Sequence, residues 1–280
     1  MIARHLLYQV LERALWEDLH AGDLTTQAVV DRHARAVGHA RAVTELVACG
    51  AEVFAGAFYR VDPGVRVQRL VEDGTLVEPD TELWRVEGAA TSILMAERVA
   101  LNFVQRLCGI ATLARRYVEA VPEGCKARIT GTRKTTPGLR LLERYALRCG
   151  GAHNHRDSLG AGVLIKDNHI EAAGGVRQAV ELARERAPHT ARIEVEVETL
   201  GALDEALEAG ADIVMLDNFA PDQVVSAVRR ARGKALVEVS GRVTLGVIPE
   251  LARAGVDVIS VGALTHSAPA SDIALDLQRL

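Results

Sequence analysis

The sequence predicts an α/β protein, an incomplete parallel β/α barrel preceded by an N-terminal α+β sandwich domain. Three observations predict it: the second half alternates short apolar strand-like runs with helical stretches, the first part does not alternate, and charged residues recur where the predicted strands end. At 280 residues and 49% apolar composition, the chain can bury a full core, either as one large barrel or as a barrel with a companion domain.

The elements follow in order. A helix is expected from Ile2 to Leu19, then strands near Gly38–Val47 and Val65–Val71, a Glu72–Gly74 turn, and strands around Leu76 and over Leu83–Val86. A long helix from Thr91 toward Arg106, interrupted near Gly109, joins the two parts. Residues 1–108 form the sandwich domain and 109–268 the barrel, with a C-terminal helix over 269–280 packing back on the first domain. Barrel strands are expected at Ala127–Thr130, Val163–Lys166, Ile193–Val197, Ile213–Leu216, Leu236–Val239 and Val258–Val261. Helical stretches begin at Val176, Leu200, Pro221 and Leu245, several closed by Gly. Six strands leave the barrel short of eight.

Charge is distributed unevenly. Nine Lys/Arg lie between Lys126 and Lys166 against only Glu143 and Asp157, whereas Glu194 to Asp217 carries eight acids and no base. A net charge of −4 argues against general binding to nucleic acid or an anionic membrane, so the basic cluster is local and suits a small anion. The acidic region suits a metal ion or sugar hydroxyls. No apolar run reaches the roughly 18 residues of a membrane span, and the charged N-terminus does not fit a signal-peptide core, so a cytoplasmic protein is expected. Cys49, Cys108, Cys125 and Cys149 form no CxxC pair and read as reduced structural thiols.

In parallel barrels the chemistry sits at the C-terminal ends of the strands. Here Arg133 and Lys134 follow the first barrel strand, Lys166 ends the second, and Glu196 lies late in the third. Asp217 ends the fourth, Ser240 and Gly241 follow the fifth, and Gly262 ends the sixth. The run RIEVEVE puts Glu194, Glu196 and Glu198 on one strand face, toward the barrel interior, where ionised groups need cations or a metal to offset them. Glu194 reads as part of a structural ion network and Glu196, nearer the mouth, as functional. Thr136-Pro137-Gly138 looks like a helix start, with Thr136 capping and Pro137 in the first turn. Arg140, Arg144 and Arg148 then form a stripe that reads as a solvated basic face. His153, His155 and His169 do not suggest a metal, because no Cys or carboxylate nearby completes a tetrahedral set and Arg156 would repel a cation. His155 with Arg156 suits a carboxylate ligand. The Gly turns at Ser240-Gly241 and Gly262 suit phosphate.

Several long motifs carry a resemblance. TRKTTPGLR from Thr132, NHR from Asn154, LIKDNH from Leu164, MLDNF from Met215, EVSG from Glu238 and VGALTHS from Val261 resemble the successive motifs of the quinolinate phosphoribosyltransferases, also called nicotinate-nucleotide pyrophosphorylases (carboxylating). EDLHAGDLTT from Glu17 and AERVALNFVQRLCGIAT from Ala96 extend the likeness into the first domain. The resemblance implies the reaction of quinolinate with phosphoribosyl pyrophosphate to nicotinate mononucleotide, pyrophosphate and CO2, with Mg²⁺, in NAD synthesis. It implies a homodimer in which Arg98 completes the neighbouring site, and allows a hexamer of dimers. It places Thr132, Arg133, His155, Arg156 and Lys166 around quinolinate. Lys134, Glu196, Asp217, Ser240, Gly241, Gly262 and His266 fall around phosphoribosyl pyrophosphate, with Glu196 and Asp217 holding Mg²⁺ directly or through water. Lys166, Glu196 and Asp217 are the expected catalytic groups, Lys166 stabilising or protonating the ring after decarboxylation.

Arg242 departs from the pattern, since the family usually has a small or uncharged residue such as Gly or Asn there. Other readings stay open on sequence alone: a relative acting on nicotinate or tied to molybdenum transport, a Schiff-base aldolase using Lys166, or a non-catalytic nucleotide-binding protein.

Overall fold

The computed structural model describes residues 2–280. Its contacts group the chain into two compact units. One runs up to Arg115 and also takes in Thr135–Gly151 and Leu264–Leu280; the other holds Arg116–Lys134 and Ala152–Ala263. This interleaving differs from the linear split at 108 and 109.

The first unit begins with helix α1 (Arg4–Leu19), which buries Leu7, Leu11 and Leu15 at helical spacing. Helix α2 (Leu24–Val29) starts where the Asp23 side chain accepts the Thr26 N–H at 2.9 Å, so part of the AGDLTT motif is a helix cap. Next come β1 (Arg35–Ala42), β2 (Leu46–Val47), α3 (Ala51–Val61), β3 (Arg66–Arg69), β4 (Leu76–Val77) and β5 (Glu82–Ala89). Phe54, Phe58 and Trp84 meet in the core of this unit, with Phe54 stacked on Trp84 at 4.9 Å between centroids. Helix α4 (Ala90–Glu119) then runs unbroken through Gly109. The expected interruption is absent because this glycine is a packing position: a Cβ there would overlap the Pro269 carbonyl oxygen.

The barrel strands are β6 (Arg128–Thr130), β7 (Val163–Ile165), β8 (Ile193–Val197), β9 (Ile213–Asp217), β10 (Leu236–Ser240) and β11 (Val258–Ser260). The helices among them are α5 (Arg140–Cys149), which belongs to the first unit, then α6 (Asp167–Ala173), α7 (Val176–Arg186), α8 (Leu200–Glu208), α9 (Pro221–Ala231), α10 (Ile248–Ala254) and α11 (Ala263–His266). All six strands are parallel, in the order β6-β11-β10-β9-β8-β7. No ladder joins β6 to β7, so the barrel is open there; a parallel bridge from Thr130 to His153 stands in that interval.

Two sequence expectations are corrected here. The segment 269–280 is not a helix: β12 (Ile273–Arg279) pairs antiparallel with β1, in the order β12-β1-β5-β3. Its alternation of Ile273, Leu275 and Leu277 with Ala274, Asp276 and Gln278 has the period of a strand, and it covers an edge that β1 would otherwise leave open. Thr136 and Pro137 do not start α5, which begins at Arg140 after Leu139 with no side-chain cap. Gly138 at φ 80° breaks the helical path, and the Leu139 N–H closes a turn on the Thr136 carbonyl at 3.0 Å. Among the described residues no helix is long and apolar enough to cross a membrane.

Candidate active site

Strand register decides which side chains share the barrel interior. Glu194 pairs with Leu164 and Ile213, Glu196 and Glu238 with Met215, and Ser240 with Asp217. Paired residues in a parallel ladder face the same side, so Glu194, Glu196, Asp217, Glu238 and Ser240 lie on one face. Val195, Val197, Val237 and Val239 turn to the other face and are buried. Glu198 falls beyond the end of β8 and is exposed, so it does not join the inward row.

The loop after β6 carries Thr132, Arg133 and Lys134. Thr132 Oγ1 accepts the Lys134 N–H at 3.1 Å, which tightens the loop, and Lys134 is exposed. The NHR motif follows the Thr130–His153 bridge. His153 is exposed and pairs through its backbone, while His155 turns inward.

His155 Nε2 lies 3.1 Å from Glu194 and 3.5 Å from Glu238, and both acids are buried. Ser260 Oγ donates to Glu238. Carboxylates flank His155 after all; the acids lie 39 and 83 residues away in sequence and are brought in by β8 and β10. Hydrogen bonding to Glu194, then to Glu238, raises the imidazole from 6.5 to about 10 against the opposing effect of burial. Burial chiefly raises Glu194, while its hydrogen bond to His155 lowers it. In the neutral ring Nδ1 accepts the Arg156 N–H at 2.8 Å. A protonated Nδ1 cannot accept that bond, so in the imidazolium Nε2 stays with the two carboxylates while Nδ1–H becomes a donor.

Arg156 donates through Nη1 to the Gly162 carbonyl at 2.9 Å, while its buried Nε has no hydrogen-bond partner. Burial, and then the nearby Arg133 charge, lower its affinity for the proton. A buried guanidinium nitrogen without an acceptor beside a second guanidinium favours an incoming anion.

Lys166 Nζ forms a close ion pair with Glu196. Lys166 precedes α6, and its N–H donates to His169 Nδ1 at 3.0 Å, so the DNH part of the motif orients the lysine backbone. Asp217 accepts from Asn218 Nδ2 at 2.8 Å. Gly241 sits at φ 92°, where a Cβ would collide with the Asn218 and Asp217 side chains. The Ser240-Gly241 turn can therefore approach Asp217 only with glycine. Arg242, exposed, is held at φ 45°, the left-handed region where Gly or Asn is at ease. Gly262 follows β11.

Arg98 and His266 belong to the first unit. Arg98 is exposed on α4, and His266 ends α11 with Nδ1 2.6 Å from Ser267 Oγ. The basic stripe of α5 divides: Arg140 Nε donates to Thr135 Oγ1 at 3.0 Å and Arg148 lies over Tyr145.

Sequence reasoning missed Glu238, Ser260, Arg106 and Glu143. For Glu238 a signal existed, since Val237-Glu238-Val239 repeats the alternation of β8. Within the first unit Arg106 holds the fully buried Glu143 at 2.6 Å and also donates to Thr136 Oγ1 and the Thr265 carbonyl, while Glu143 accepts the Thr136 N–H at 3.1 Å. This network anchors the TTPG turn.

An open parallel β/α barrel with cations and carboxylates at the C-terminal ends of its strands defines a barrel enzyme for small anionic substrates. Residues 23–108 match the family model of the quinolinate phosphoribosyl transferase N-terminal domain, and residues 110–276 that of the C-terminal domain. The chain belongs to the quinolinate phosphoribosyl transferase family. It is 40% identical over 277 residues to the probable nicotinate-nucleotide pyrophosphorylase (carboxylating) of Bacillus subtilis, covering 97% of this chain and 93% of that one. To the nicotinate-nucleotide pyrophosphorylase (carboxylating) of Homo sapiens it is 44% identical over 216 residues, covering 76% of this chain and 73% of that one. The crystal structure of NadC from Streptococcus pyogenes superposes with a TM-score of 0.96 at 38% identity, over 100% of this chain and 99% of that one.

Proposed function

We propose that this chain transfers the phosphoribosyl group of phosphoribosyl pyrophosphate to quinolinate with decarboxylation, giving nicotinate mononucleotide, pyrophosphate and CO2 in NAD synthesis. Family membership supports the reaction, and the buried Nε of Arg156 supports the substrate, because a dicarboxylate supplies the acceptor that this nitrogen lacks. Thr132, Arg133, His155, Arg156 and Lys166 receive the two carboxylates. Arg98 enters from a second copy in a homodimer. Lys134, Ser240, Gly241, Gly262 and His266 receive the phosphates, and the protein works in the cytoplasm.

Displacement at the sugar C1 develops positive charge, which the Glu196 and Asp217 carboxylates stabilise. After CO2 leaves, the ring carries an electron pair, and the Lys166 ammonium stabilises and protonates it. Held by Glu196, Lys166 is committed to an ion pair rather than poised as a Schiff-base nucleophile. Glu196 and Asp217 offer hard oxygen donors on neighbouring strands, which suits Mg²⁺, an ion that takes one or two carboxylates and fills its remaining positions with water and substrate phosphate. When bound, Mg²⁺ neutralises charge on the departing pyrophosphate.

Incubating the purified protein with quinolinate, phosphoribosyl pyrophosphate and Mg²⁺ should yield nicotinate mononucleotide. Equal yield from nicotinate in place of quinolinate would overturn the substrate assignment.

A further inference from the structure

In the first unit, three cysteines meet. The Sγ atoms of Cys49 and Cys149 and an Asp73 oxygen all lie within 4.8 Å of one another. Cys49 is buried just before α3, whereas Cys149, the last residue of α5, keeps part of its surface exposed. The third thiol, Cys108, is buried and turned to the backbone: Sγ donates to the Cys49 carbonyl at 3.3 Å and accepts the Cys49 N–H at 3.2 Å. The cluster therefore pairs one accessible sulfur with one enclosed sulfur.

Two chemistries could use such a cluster, a metal ion or a disulfide. Asp73 decides against the metal, since its carboxylate is already occupied. Oδ2 accepts the Gly50 N–H at 2.9 Å and the Tyr145 hydroxyl at 2.6 Å, and Oδ1 accepts the Ala51 N–H at 3.2 Å. The two backbone donors stand at the start of α3, which Asp73 thereby caps, and a cation would have to displace them. The two sulfurs carry no such commitment to backbone. A hydrogen bond from Cys49, aided by the Arg148 charge and opposed by burial and Asp73, draws the Cys149 thiol below its ordinary range, while burial pushes Cys49 up.

We propose that Cys149 and Cys49 form a reversible intramolecular disulfide under peroxide, with Cys149 as the attacking sulfur and Cys49 as the resolving one. The Cys149 thiolate attacks hydrogen peroxide; an S–O bond forms, the O–O bond breaks, and hydroxide leaves. Cys49 then gives its proton to that hydroxide and attacks the sulfenic sulfur, so that an S–S bond forms, the S–O bond breaks and the oxygen departs as water after protonation. Two thiols lose two electrons, and one peroxide becomes two waters. The bond ties the end of α5 to the start of α3.

The test is peptide mapping by mass spectrometry of the full-length protein, alkylated after brief peroxide treatment. The expected result is a Cys49–Cys149 linked peptide, two hydrogens lighter than its parts and lost on treatment with dithiothreitol. Cys49→Ser should instead accumulate a Cys149 sulfenic acid that dimedone traps, and Cys149→Ser should show no link. The proposal is overturned if wild-type Cys49 and Cys149 are both recovered as alkylated thiols at a peroxide dose that oxidises glutathione in the same tube. It is equally overturned if Cys149 passes only to sulfinic acid, or if stoichiometric zinc added to the reduced protein blocks alkylation of both.

Discussion

The imidazole of His155 stands 3.1 Å from the buried carboxylate of Glu194, on a strand face where Glu238 provides a second acid at 3.5 Å. This pair ties the NHR loop to the barrel interior and sets the charge on the ring. With its folded value raised from 6.5 to about 10, His155 contributes stability that is complete below about pH 6.5 and is lost as pH rises toward 10. NMR titration of the ring should therefore show an imidazolium at pH 7. Glu238→Gln, which removes one of the two acids, should shift the midpoint downward, and an unchanged midpoint would mean that Glu238 does not act on the ring.

Lys166→Ala should lower kcat by about 100-fold or more, the scale of a lost proton donor. Near-normal turnover would remove Lys166 from the chemistry. Because the same change also frees Glu196, Lys166→Arg serves as a second arm. It keeps the charge but replaces a mobile ammonium with a planar fork, so kcat should remain depressed while folding is preserved.

Glu143→Ala leaves Arg106 and the Thr136 N–H without their buried acceptor. Arg106 keeps 30% of its side-chain surface exposed, so the loss falls near the low end for an orphaned buried ion, about 3 kcal/mol. Urea unfolding of the variant measures it. A loss well under about 1 kcal/mol would mean that water replaces the carboxylate without cost.

Arg242→Asn should stabilise the protein by about 0.5–1 kcal/mol, because a left-handed backbone costs most side chains roughly 1–2 kcal/mol and asparagine less. Thermal unfolding reads the gain. The same variant also tests the side chain: unchanged affinity for phosphoribosyl pyrophosphate would make Arg242 a bystander, whereas weaker affinity would assign it a phosphate contact.

Much of the barrel was legible in the chain. Each of its six strands lies within one residue of its expected bounds, because a buried parallel strand is a short β-branched run and the sequence marks its ends with Gly, Pro or charge. The alternation of RIEVEVE also separated an acidic face from an apolar one. Less was legible at the C-terminus, where Ile273, Leu275 and Leu277 carried a strand signal that a helix reading overlooked, and at Gly109, whose tolerance inside α4 depends on the Pro269 carbonyl.

The sequence by itself determined the kinds of element, the order of strands along the chain, the strand-end positions of Arg133, Lys166, Glu196 and Asp217, and the family. Local periodicity and motif spacing are short-range properties that the chain carries wherever it folds. Only the tertiary structure decided that Glu238 and Glu194 share one histidine, that Glu143 is neutralised by Arg106, and that Cys49 meets Cys149. Each of these depends on the register between strands or the packing of helices far apart in sequence, and no local pattern encodes that distance.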